Sequence, residues 1–298
     1  ISSFIIFDIF YEKYFGHNLL GYVSPTGERI ISFFKDEMVV GGYILCFGFT
    51  SVTYFLNKDI DKNKNLFFLI IFLIIPIAIF VTGERSNFIK SFFLFFTLIF
   101  FLKDKKSILN YKYLIPIFLI IISIFFYFSE NTKNRYFLFF ERIKIVEEDK
   151  NILNKFENIR YIAHFETALK IFKNYPINGI GNKNYRKECS KEIYFNENNK
   201  FSIQRCSTHP HQIHFEILSE QGLIGYLLII YFIVGFLIRN VKIFIKSRNI
   251  NHLNNLSYIF LFFLPLLPGA GIFSTFNGAL FWVIFSLTYL NVKNQNLN

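Results

Sequence analysis

The chain has 298 residues, 53% of them hydrophobic and 20% aromatic, with a mean hydropathy of +0.37 and a formal net charge of +11. The apolar residues come in long runs, not amphipathic stripes, which excludes an ordinary soluble domain and points to transmembrane helices. In such a chain the basic excess is the positive-inside bias of cytoplasmic loops, so no nucleic-acid partner is implied.

The sequence opens at Ile1, without Met and in mid-hydrophobic sequence, and no basic segment precedes it. We expect an N-terminal truncation, not a signal peptide. Apolar runs fall at 1–15, 38–57, 66–82, 88–102, 113–129, 213–238, 256–273 and 276–292, the first of them incomplete. This is the pattern of an all-α integral membrane protein, a polytopic bundle of about 7–8 transmembrane helices. Three domains are expected: a partial N-terminal transmembrane bundle at 1–129, a long loop at 130–212, and C-terminal transmembrane helices at 213–298.

The connections alternate in charge. Lys58, Lys62 and Lys64 lie in one; Lys103, Lys105, Lys106 and Lys112 in the next; Arg239, Lys242, Lys246 and Arg248 in a third; and Lys293 in the tail. These segments are expected in the cytoplasm. The segments 16–37, 82–87, 130–212 and 268–274 are then expected outside. A loop as long as 130–212 usually carries function. Within it, Asn154–Asn174 has helical periodicity, stops at Tyr175-Pro176, and runs into the glycine-punctuated turn Ile177-Asn178-Gly179-Ile180-Gly181-Asn182.

Cys189 and Cys206 share the outer loop, whereas Cys46 lies in a helix. In an oxidising compartment the two form a disulfide candidate that closes a loop of roughly 17 residues, worth about 3 kcal/mol. Two free thiols are the alternative.

Several outer-face residues could carry chemistry. Arg85 follows Thr82-Gly83-Glu84 at the outer end of a helix and opens the next. A charge at membrane depth costs about 2.5–3.5 kcal/mol, so it should face a cavity or an anion; snorkelling, or local pairing with Glu84, is the blander reading. Arg160 sits in the periodic outer segment with His164 one turn on, and Arg29 and Arg186 are further outer arginines. The densest segment is His209-Pro210-His211-Gln212-Ile213-His214, a polar stretch that runs straight into an apolar helix. Pro210 suits a first helical turn, with Ser207, Thr208 or His209 as cap, which would place His211 inside that turn. Cys206, His209, His211 and His214 offer zinc-ligand chemistry, but their spacing matches no standard site. Asp59-x-Asp61 has the form of a metal-holding pair but lies in an expected cytoplasmic loop.

His211-Gln212, nine residues, then Gly222-Leu223-Ile224-Gly225 resembles the motif of the bacterial O-antigen ligases and related O-antigen polymerases, where a long outer loop enters a membrane helix. Thr82-Gly83-Glu84-Arg85-Ser86 is similar to that family's small-residue-plus-Arg segment. Arg160 through Tyr175-Pro176 to Gly179-Ile180-Gly181 is similar to its Arg, aromatic helix, Pro and Gly-x-Gly segment. Gly27-Glu28-Arg29 to Asp36-Glu37 matches an earlier segment more weakly. The resemblance spans nearly the whole chain, although the family usually has about twelve helices, and Gln212 stands where Asn is commoner.

The resemblance implies a GT-C-like fold in the bacterial inner membrane, multi-pass, with the long loop and active site facing the periplasm. It implies a glycosyltransferase acting on an undecaprenyl-diphosphate-linked glycan, with lipid A-core as acceptor for a ligase or a lipid-linked glycan for a polymerase. It also implies His211 as catalytic residue and Arg85 and Arg160 as diphosphate binders. Arg29, Arg186, Gln212, His209 and His214 become supporting residues, and no metal or other cofactor is expected. Guanidinium can replace a metal on phosphate because it is always charged and bidentate. Imidazole, with an ordinary pKa near 6.5, suits a base at neutral pH. A transporter or lipid-handling protein is the competing class; the candidate residues cluster at the outer face and not at the midplane, which disfavours it.

Overall fold

The computed structural model describes residues 1–35, 37–56, 62–102, 113–129, 132–137, 160–197, 199, 201–265, 267–269 and 271–295. Among these the regular structure is helical and contains no strand. The helices are α1 (Ser2–Phe15), α2 (Val40–Leu56), α3 (Lys62–Val81), α4 (Arg85–Leu102), α5 (Leu114–Phe128), α6 (Arg160–Asn174), α7 (Ile213–Ser247), α8 (Ile250–Phe262) and α9 (Thr275–Gln295). A short helix spans 132–137, and Tyr185–Glu188 adds one turn. Two helices, α4 and α7, are long and apolar enough to cross a membrane; Val40–Leu56, Phe67–Val81, Leu114–Tyr127 and Thr275–Leu290 are shorter apolar helices. The expected basic loops around Lys58 and Lys103–Lys112, with Asp59 and Asp61, lie outside the described residues.

The chain forms two compact units: residues 1–137, 243–258 and 284–298 in the first, and 138–242 and 259–283 in the second. In the first unit, α3 packs against α1, α2, α4 and α5. Its Phe72, Ile75, Ala78 and Ile79 are fully buried. Their neighbours are aromatic: Phe72 lies 4.9 Å from Phe95, and Phe95 lies 4.9 Å from Phe118. Offset or tilted pairs at this spacing add about 0.5–1.5 kcal/mol each beyond area burial. α2 contains a π-helical stretch, Ile44–Gly48, that its hydropathy does not foretell.

α1 ends at Gly16, whose left-handed φ of 79° closes the helix. Its two acids turn inward. Asp8 accepts a bond from Leu19 N–H (2.8 Å), and Glu12 accepts from Ile31 N–H (3.1 Å) and Ser32 N–H (2.6 Å). Both ends of the loop that carries Arg29 are thereby fixed to α1.

In the second unit, α8 ends at Phe262, so the apolar run 256–273 is not one helix. Pro265 and Pro268 account for this, since a residue before proline is driven out of the helical region. Beyond Gly222, α7 exposes Leu223, Ile224, Leu227, Leu228 and Tyr231. An apolar surface of that extent fits a lipid environment better than water.

Candidate functional site

The glycine motifs meet at a break in α7. Gly222 has φ 65° and ψ −169°, outside the helical region, so the helix divides there. Such a break strands N–H and C=O groups that need partners. The turn after α6 supplies them. Leu223 N–H donates to Pro176 C=O at 2.8 Å and Ile224 N–H to Ile177 C=O at 3.3 Å. In return Ile180 N–H donates to Ser219 C=O at 3.1 Å and Gly181 N–H to Glu220 C=O at 2.8 Å. A Cβ on Gly222 would collide with the Ile177 carbonyl, and one on Gly179 with the backbone of Glu220. The Gly179-x-Gly181 turn and the break at Gly222 are therefore two halves of one close backbone contact.

Two glutamates on the first part of α7 complete the anchoring. Glu220 accepts from Lys183 N–H (2.8 Å) and Tyr185 N–H (3.1 Å), and Glu216 accepts from Ile272 N–H (3.0 Å). Neither was singled out from the sequence. Two acids one turn apart in an otherwise apolar helix were the available signal.

His211 stands just before α7, not inside it. Gln212 is the cap: its Oε1 accepts from His214 N–H (2.7 Å) and Phe215 N–H (3.0 Å), so the helix starts at Ile213. The expected start at Pro210 with a cap from Ser207, Thr208 or His209 is corrected accordingly. His211 itself adopts a left-handed φ of 58°, uncommon for a residue with a Cβ. Its carbonyl accepts from Gly269 N–H at 2.7 Å, which pins this backbone to the turn after α8. Strain held in place by its surroundings is often found at functional sites.

Four rings gather there. His211 lies 4.5 Å from His209, 5.0 Å from His164 and 5.5 Å from Tyr161, centroid to centroid. Its Nε2 is 3.0 Å from Ser207 Oγ. Buried His164 has Nδ1 2.8 Å from the Arg205 carbonyl, which can only accept, so Nδ1 carries the proton. His214 Nε2 likewise donates to Phe263 C=O at 2.8 Å, and its Nδ1 lies 3.2 Å from Tyr226 Oη. His214 is thus tied between two elements. His209 Nε2 lies 3.4 Å from Gly269 C=O. Burial holds His209 below its ordinary pKa, opposed by that carbonyl and reinforced by the nearby charges of His164 and Arg186.

The floor of this cluster is covalently tied. Cys189 and Cys206 are bonded, with Cα atoms 5.3 Å apart, directly before Ser207. Buried Arg205 spends its guanidinium on backbone: Nε on Cys189 C=O (3.0 Å), Nη1 on Ser202 C=O (3.1 Å), and Nη2 on Ser190 and Lys191 C=O (3.1 and 3.2 Å). Tyr185 Oη donates to the carbonyls of His164 (3.2 Å) and Arg205 (3.0 Å). Arg160 is the first residue of α6, one turn before His164; its side chain lies outside the described residues. Arg186 is exposed, and its charge bears on His209 and Glu220.

The first unit has its own cationic cluster at the turn between α3 and α4. Arg85 opens α4 and is partly exposed. Buried Glu84 is bonded to Gly41 N–H (2.7 Å) and Asn87 Nδ2 (2.6 Å). Burial raises the Glu84 pKa, against the pull of these bonds and of Arg29. Arg29 reaches the same turn because Ile30 N–H donates to Thr82 C=O at 3.2 Å. Arg135, not singled out from the sequence, donates from Nε to Gly83 C=O (3.0 Å) and from Nη1 to Glu28 (2.6 Å). Asp36 lies outside the described residues.

The described chain is helical, with two helices long and apolar enough to cross a membrane, a histidine cluster at one helix entrance and an arginine cluster at another turn. A family model described as O-antigen ligase matches residues 69–230, more than half of the chain. The protein belongs to this family of glycosyltransferase-like membrane enzymes. Arg85, Arg160 and the whole of His211–Gly225 fall inside the match, and Arg29 outside it. Comparison with curated proteins gives no match.

Proposed function

We propose that the chain transfers a glycan from undecaprenyl diphosphate to a hydroxyl of lipid A-core at the periplasmic face of the inner membrane. The acceptor hydroxyl attacks the anomeric carbon opposite the diphosphate. The C–O bond to the sugar forms, the bond to the leaving diphosphate breaks, and the anomeric configuration inverts. His211 takes the hydroxyl proton. Arg85 and Arg160 carry the leaving group's charge, the task that a divalent metal performs in many glycosyltransferases. A base of this kind contributes typically about 10²–10⁴-fold.

The observation that carries this reading is the position of His211. It is held in a left-handed conformation by Gly269, seated among His209, His164 and Tyr161, and set at the mouth of a family motif. Complementation of strains lacking an O-antigen ligase, and of strains lacking a polymerase, tests it through lipopolysaccharide banding. Restored ladders in the ligase-null strain are expected. Rescue confined to the polymerase-null strain would make the acceptor a second lipid-linked repeat unit.

A further inference from the structure

Three guanidiniums converge on the turn Val81–Arg85 from three separate segments. Arg85 belongs to the turn. Arg29 is tied to it through the Ile30–Thr82 bond of 3.2 Å. Arg135 reaches in from the helix 132–137, its Nε on Gly83 C=O at 3.0 Å. That short helix is itself docked: Tyr136 Oη donates to Phe80 C=O at 3.1 Å, and its ring stacks on Phe80 at 4.6 Å. Lys13 Nζ donates to Thr132 Oγ1 at 3.1 Å at the other end. Gly83 leaves the room that Arg135 occupies, since a Cβ there would lie 3.2 Å from its Cδ and Nε, and φ is 75°.

Among the described residues that bond at this turn, two are acids: Glu84, buried and already bonded to Gly41 and Asn87, and Glu28, bonded to Arg135. The Glu28 side chain is 60% exposed, whereas the Arg135 side chain is 13% exposed. Like charges gathered in a partly desolvated place repel, and an added anion relieves that repulsion. Burial, and after it the charges of Arg29 and Arg85, disfavour the charged form of Arg135. An exposed surface carboxylate on Nη1 is a weak and displaceable partner.

We propose that Arg135 is a third arginine of the donor-diphosphate site, held in waiting by Glu28: a phosphate oxygen takes the place of Glu28 on Nη1 while Nε stays on Gly83. This rests on the reading of Arg85 as a diphosphate binder. The test is the affinity of the purified full chain in detergent for farnesyl diphosphate, with farnesol as the control for the prenyl tail. Arg135→Gln should weaken farnesyl diphosphate about tenfold or more, the size of one charge-assisted bond, and leave farnesol unchanged. Glu28→Gln should tighten it a few-fold, and only where Arg135 is present. Full affinity in Arg135→Gln with loss in Arg85→Gln overturns this proposal and leaves the reading of Arg85 standing; full affinity in both overturns both. Should Arg135→Gln fail to fold, Glu28→Gln decides alone, and unchanged affinity and salt dependence overturn the proposal. Displacement of the probe by phosphatidylglycerol as readily as by pyrophosphate makes the turn a general headgroup site and overturns its assignment to the donor.

Discussion

Substituting Gly222 by Ala strikes its close backbone contact with the turn after α6. The φ of 65° costs an L-residue about 1–2 kcal/mol. The new Cβ points into the Ile177 carbonyl, so the Leu223–Pro176 and Ile224–Ile177 bonds, at 2.8 and 3.3 Å, must give way. Their loss costs about 1 kcal/mol each, for a total of about 3–4 kcal/mol. That corresponds to a fall of roughly 5–6 °C in melting midpoint for a chain of this size. The control is Gly235→Ala in the same helix, where a Cβ meets nothing within 4 Å. There alanine should be neutral or raise the midpoint, since it favours helix by up to about 1 kcal/mol over glycine. Thermal unfolding of the two variants in detergent, followed by tryptophan fluorescence and circular dichroism, compares them directly. Equal midpoints would refute the close backbone contact at Gly222.

Gln212→Ala removes the acceptor of two N–H groups and should lower stability by about 1 kcal/mol, whereas Gln212→Asn should retain most of it; melting midpoints check both. Arg205→Lys keeps the charge but cannot reach four carbonyls, and a loss of about 3 kcal/mol or more is expected in the same assay. His209 is held below its ordinary pKa in the folded chain, so the unfolded chain binds the extra proton first as pH falls. Its contribution is intact above the ordinary value near 6.5 and is lost as pH falls below it. His209→Gln should therefore flatten the acid side of a midpoint-versus-pH curve between pH 7.5 and 5, and an unchanged acid slope would argue against a buried neutral imidazole.

Much of the architecture was readable because hydropathy and punctuation report directly on helices. The runs that became α2 to α5 and α7, and the stop at Tyr175-Pro176, follow from local sequence alone. The spacing from His211 to Gly222-x-x-Gly225 pointed to the segment where the histidine rings gather, and the two outer-loop cysteines proved close enough to bond. What escaped was tertiary. Pro210 reads locally as a helix start, but the Gly269 N–H, 58 positions beyond His211, holds His211 out of the helix, and the Gln212 side chain fixes the start at Ile213. Arg205 and Arg135 carry no periodic signal: each is a single arginine in a polar stretch, and its meaning comes from carbonyls that the fold brings to it. Pro265 and Pro268 interrupt the run 256–273 after Phe262, a local effect that mean hydropathy alone does not report.

The central claim is that His211 accepts the acceptor's proton. Its most direct test is single-turnover glycan transfer by purified His211→Ala, with donor binding measured in parallel. The account predicts a rate lower by about 10²–10⁴-fold with donor affinity largely kept. Transfer at the wild-type rate would contradict it.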